Sequence, residues 1–77
     1  MVVDDHALFR TGLIGLLRAD SEFEVAGEAS DGQEFLDTFA NLSPDVVLLD
    51  IDMPVVNGIE AAQKALEADP SLKIITL

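Results

Sequence analysis

Val46-Val47-Leu48-Leu49 is an unbroken apolar run that ends in Asp50, and Val2-Val3 near the chain start runs in the same way into Asp4-Asp5. Short apolar runs rich in β-branched residues and bounded by turn signals read as strands buried on both faces, the mark of a parallel sheet. Elsewhere the pattern changes period. From Ala7 to Ala19, Phe9, Leu13, Leu16 and Leu17 fall on one helical stripe, and Asp20-Ser21 stops that helix. Phe23 to Ala29 alternates, with Phe23, Val25, Gly27 and Ala29 on one side and Glu24 and Glu28 on the other, which predicts an edge strand exposed on one face. Asp31-Gly32 is a turn signal, and Phe35, Leu36, Phe39, Ala40 and Leu42 then form a second helical stripe that ends before Ser43-Pro44. After the Val46 to Leu49 strand, a loop through Pro54 and Asn57 leads into a third helix, from Gly58 to Ala68, with Ile59, Ala62, Ala65 and Leu66 as its apolar face. Asp69-Pro70-Ser71 stops it, and a fourth strand runs from Lys73 through Ile74, Ile75 and Thr76 to Leu77.

Strands alternating with helices across short turns predict one α/β domain with right-handed crossovers, of the doubly wound class. The fourth strand would leave an unprotected edge, able to pair with a second copy as a homodimer, and the domain is expected to continue past Leu77. Ligands of such sheets bind beyond the carboxyl ends of the strands. If the first and third strands are neighbours, Asp4, Asp5 and Asp50 gather at one edge. Two carboxylates about 4 Å apart repel by roughly 4 kcal/mol at an effective dielectric near 20, so such a cluster must bind a cation or take up a proton.

Composition narrows the partners. Seventy-seven residues make at most one domain, and 49% apolar content provides a core. Fifteen acidic against four basic residues give a formal charge of −11, which repels nucleic acid and anionic membranes, so DNA is not a direct partner of this segment. Cysteine is absent, which excludes disulfides and thiolate metal sites. Neither a bilayer-spanning stretch nor a signal-peptide pattern is present, so the chain is expected in the cytoplasm, with no membrane contact.

The order of three features carries a family resemblance: Asp4-Asp5 after strand one, Asp31-Gly32-Gln33-Glu34 entering helix two, and Asp50-Ile51-Asp52-Met53-Pro54 with Gly58 four residues after the proline. Across essentially its whole length the chain resembles the receiver domain of bacterial two-component response regulators. Val3-Asp4-Asp5-His6-Ala7-Leu8-Phe9-Arg10, Gly12, Leu16-Leu17 and Gly58-Ile59-Glu60-Ala61-Ala62 are most similar to the NarL/FixJ branch, whose members usually carry a LuxR-type helix-turn-helix output domain. The resemblance implies a flavodoxin-like parallel sheet of order 2-1-3-4, with a fifth strand and the last two helices outside these residues and strand one shortened at its start. It implies that Asp50 accepts a phosphoryl group from a sensor histidine kinase, and that Mg2+ is bound directly by Asp5 and Asp50, mainly through water by Asp4, and by the backbone carbonyl of Asp52. Phosphoryl transfer is mostly positioning plus electrostatics, and Mg2+ suits it because the ion keeps several waters, takes one or two carboxylates and coordinates phosphate oxygens.

Plainer readings exist for each residue. An isolated Asp4-Asp5 is a solvated loop, a reading the second carboxylate site at Asp50 reverses. Asp50 is not a helix cap, because Met53-Pro54 and Asn57-Gly58 intervene before helix three. Pro54 and Gly58 are expected to set the loop's path. Thr76 reads as a β-branched strand residue, His6 as a loop residue, and Arg10 and Arg18 as solvated on the polar side of helix one, whose first turn is where such receivers meet their kinase. The rival class is an enzyme: a haloacid-dehalogenase-like phosphohydrolase with Asp50 as nucleophile and Asp52 as acid/base. Element order opposes it, since that motif would end the first strand and here it ends the third.

Overall fold

A computed structural model describes residues 1–53 and 57–77; the expectation for Pro54 lies outside the described residues. Four strands and three helices alternate along the chain: β1 (Val2–Val3), α1 (Ala7–Arg18), β2 (Glu28–Ala29), α2 (Gly32–Leu42), β3 (Val46–Leu49), α3 (Gly58–Ala68) and β4 (Lys73–Thr76). All pairings are parallel, in the order β2-β1-β3-β4, which agrees with the expected doubly wound sheet. Val3 stands level with Ala29 on one side and Leu49 on the other, and Leu49 stands level with Thr76.

Alternation along the strands sorts the side chains into two layers. Val3, Val47 and Leu49 are fully buried against Phe35 and Phe39 of α2 and Ala61 and Ala65 of α3, with Met53 and Leu72 closing the cluster. The Phe35 and Phe39 rings lie 5.3 Å apart at a 38° tilt, within the range of favourable aromatic pairs. On the opposite face α1 buries Ile14, while Val46 and Ile75 stay substantially exposed, so that side of the sheet is covered only in part.

The helix starts follow from their caps. Asp31 accepts the Glu34 backbone N–H at 2.8 Å, and Glu34 in turn accepts the Ser30 hydroxyl. Asn57 accepts the Glu60 N–H at 2.9 Å. Helix α2 ends on Ser43, held in the left-handed region at φ 47°, with its N–H on the Phe39 carbonyl.

Three expectations need correction. The strand expected over Phe23 to Ala29 forms only at Glu28–Ala29, and Phe23 is exposed. A strand exists only where it has a neighbour, and because Glu28 pairs with Val2, residues 23–26 extend past any residue of β1. In α1 the stripe facing the sheet is centred on Ile14 with Leu13 and Leu17 half-buried, whereas Phe9 and Leu16 are exposed. In α3 the inward face is Gly58, Ala61 and Ala65, while Ile59 and Leu66 look outward. Small side chains there let the helix approach the sheet closely, a gain that a search for the bulkiest apolar residues overlooks.

Candidate functional site: an acidic cluster at the carboxyl edge of the sheet

Because Val3 and Leu49 are partners in adjacent parallel strands, the residues that follow them emerge side by side. The Asp50 N–H donates to the Val3 carbonyl at 2.9 Å, and the Asp4 N–H donates to the Ala29 carbonyl at 3.1 Å, so both acids are fixed by the ladder itself. Asp4 is buried, its side chain only 5% exposed, against 15% for Asp50 and 28% for Asp5. The structure thus brings together all three carboxylates expected from sequence to share one edge.

His6 joins them. Its Nδ1 lies 3.2 Å from Asp4 Oδ1, 3.1 Å from Asp5 Oδ1 and 3.9 Å from Asp50 Oδ2. One ligand-capable atom from each of Asp4, Asp5, His6 and Asp50 falls within 4.8 Å of all the others. His6 is the N-cap residue of α1, yet its side chain makes no cap bond. The hydrogen bond to Asp4, then the charges of Asp5 and Asp50, hold the imidazole above its ordinary pKa of 6.5, with the slight burial of the ring opposing them. Asp4 Oδ1 also accepts the His6 backbone N–H at 2.7 Å, which closes the turn between β1 and α1.

Asp50 Oδ1 accepts the Asp52 N–H at 3.0 Å, a turn that curls the chain back over the acceptor. The Asp52 side chain is exposed and does not belong to the cluster. Thr76 pairs with Leu49, a strand position below the level of Asp50, in keeping with its reading as a strand residue. The backbone of α3 meets the site through Gly58, whose N–H donates to the Ile51 carbonyl at 3.1 Å.

Arg10 corrects another expectation. Instead of being solvated, its side chain is only 14% exposed, with Nε 2.9 Å from Glu28 Oε1 and a second guanidinium nitrogen donating to the Asp4 carbonyl. A long side chain from the first turn of α1 reaches back across the strand ends, and its fork serves two acceptors at once. Sequence reasoning missed the placement of both His6 and Arg10. The available clue was position alone: His6 directly follows the acid pair, and Arg10 stands one helical turn further on.

Comparison with known proteins places this geometry. The chain is 39% identical over 77 residues to the transcriptional regulatory protein DegU of Brevibacillus brevis, covering all of this chain and 33% of DegU. The signal receiver domain of the putative response regulator NarL from Mycobacterium tuberculosis superposes with a TM-score of 0.80 at 37% identity, over 97% of this chain and 59% of that one. The CheX-CheY-BeF3-Mg+2 complex from Borrelia burgdorferi matches with a TM-score of 0.90 at 30% identity, over 97% of this chain and 57% of that one. The chain therefore spans about a third of the curated relative and somewhat over half of the solved chains. The family model of the response regulator receiver domain matches residues 1–77, and together with relatives of the NarL/FixJ type it establishes that this chain belongs to the response regulator receiver family.

Proposed function

We propose that this chain is a phosphoacceptor switch in which Asp50 takes a phosphoryl group from a phosphohistidine of a sensor histidine kinase. An Asp50 carboxylate oxygen attacks phosphorus, the P–N bond to the kinase histidine breaks, and its electron pair stays on the imidazole, leaving an acyl phosphate on Asp50. The observation that carries this reading is the convergence of Asp4, Asp5 and Asp50 within ligand-sharing distance beyond the ends of β1 and β3. Three carboxylates, hard oxygen donors on a partly open edge, fit Mg2+. Asp5 and Asp50 would hold the ion directly, Asp4 through water, and Asp52 through its backbone carbonyl. Bound there, Mg2+ supplies charge neutralisation for an anionic phosphoryl group meeting an anionic nucleophile. A relative whose complex contains beryllofluoride and magnesium supports the same reading.

Receiver domains are regulatory, so the transfer is a self-catalysed modification and not a turnover. In the longer parent chain the phosphoryl group would control a LuxR-type helix-turn-helix domain, with DNA contact made there and not by this segment of charge −11. A homodimer through the open β4 edge belongs to the same reading. No helix among the described residues is long and apolar enough to cross a membrane, and the cytoplasm is where a kinase would present its phosphohistidine. The phosphohydrolase alternative finds no support in the family match, and the exposed Asp52 side chain stands apart from the cluster where an acid/base would have to act.

The test is mass spectrometry after incubation with acetyl phosphate and Mg2+. One phosphoryl group should add to the chain and map to Asp50, and Asp50→Asn should abolish it. Modification that survives Asp50→Asn would refute the assignment.

A further inference from the structure

We propose that His6 is a metal ligand of the acidic cluster, giving it a preference for an imidazole-accepting transition-metal dication, represented by Zn2+, over Mg2+. The inference rests on the metal-site reading above and adds a residue and a selectivity to it. Ligand atoms around one ion at about 2.0–2.2 Å stand roughly 3.0–3.6 Å from one another. The His6 Nδ1 distances to Asp4 and Asp5, 3.2 and 3.1 Å, fall in that range, and the 3.9 Å to Asp50 lies just outside it. The ring has no structural task that would explain its placement: it stands at the N-cap of α1 without capping, and it is 72% exposed, so burial does not hold it there. That exposure leaves Nε2 accessible to water, where it can carry the proton of the neutral tautomer while Nδ1 ligates.

The donor set decides the preference. Oxygen atoms and water suit Mg2+, whereas one imidazole beside carboxylates suits Zn2+ and raises affinity along the series from Mn2+ to Cu2+. Asp4, Asp5 and Asp50 alone would make a magnesium site. The fourth atom, Nδ1 of His6, changes its character.

Isothermal titration calorimetry of the 77-residue chain with ZnCl2 and with MgCl2 tests this on three proteins: the unaltered chain, His6→Ala and Asp50→Asn. Zinc should bind the unaltered chain more tightly than magnesium; His6→Ala should weaken zinc about tenfold or more while changing magnesium by less than about threefold. As a second measurement, long-range 1H–15N spectra of the unaltered chain should show the Nδ1 resonance of His6 moving on zinc addition and not on magnesium addition. Zinc affinity unchanged by His6→Ala, or equal losses for both ions, overturns the proposal while leaving the carboxylate site standing. If neither ion binds the unaltered chain, or Asp50→Asn leaves both affinities intact, the metal-site reading itself falls and this inference with it.

Discussion

Replacing Gly58 with alanine should be among the most damaging single-methyl additions this fold can receive. The added β-carbon would fall well inside van der Waals contact of the Ile51 Cα and the Asp50 carbonyl oxygen, and 3.0 Å from the Asp50 carbonyl carbon. Those are main-chain atoms, so no rotamer change relieves the clash; ordinary carbon contacts need about 3.5–4.0 Å, and α3 must retreat by roughly 1 Å. Overpacking of this kind costs about 1–3 kcal/mol, and stretching the Gly58 N–H bond to Ile51 adds about 0.5–1.5 kcal/mol. The better helix propensity of alanine returns at most about 1 kcal/mol. The net loss is about 1–3 kcal/mol, which at roughly 4–8 °C per kcal/mol for a domain of this size lowers Tm by about 5–20 °C. Thermal unfolding followed by far-ultraviolet circular dichroism measures it. Because the displaced atoms belong to Asp50 and Ile51, phosphorylation of Asp50 by acetyl phosphate should also slow in the folded variant. A Gly58→Ala chain as stable as the original would refute the claim that close backbone approach selects glycine here.

Gly12→Ala and Gly15→Ala should act in the opposite direction, because nothing lies within 4 Å of either added methyl; each should raise stability by about 0.5–1 kcal/mol, read as a higher urea midpoint. Asp31→Ala removes the cap of α2 and should cost about 1 kcal/mol, a drop of about 4–8 °C in Tm, whereas Asp31→Ser should retain most of it. In metal-free solution an NMR titration should place the His6 pKa above 6.5, and Asp4→Asn should bring it down, since the Asp4 hydrogen bond is the leading cause of the shift. A folded-state pKa raised in this way stabilises the fold below pH 6.5 and loses that contribution as pH climbs through the raised value. The unaltered chain should therefore lose stability relative to His6→Ala across that interval, and a difference independent of pH would contradict the assignment.

Much of this molecule is legible in its residues because several local rules agree. The Val46 to Leu49 run, the caps at Asp31 and Asn57, and the acids that follow two strands each point to the same parallel sheet with a charged carboxyl edge. What could not be read depends on neighbours. The extent of β2 is set by how much of β1 lies beside it, a property of pairing and not of the alternating pattern in residues 23–29. The buried faces of α1 and α3 were misjudged because hydrophobicity ranks Phe9, Leu16 and Ile59 above Ala61 and Ala65, whereas packing rewards whatever lets backbones approach. The directions taken by His6 and Arg10 are tertiary facts, decided by the acids and carbonyls they meet.

Arg10 grips the Glu28 carboxylate and the Asp4 carbonyl from a helix that otherwise rests on the sheet chiefly through Ile14. Mechanically this makes α1 a lever with its fulcrum beside the phosphorylation centre: a protein that pushes or rotates the helix pulls on the main chain of an acid in the cluster. Docking and chemistry are consequently coupled through a single guanidinium, and a partner need not reach Asp50 to be felt there.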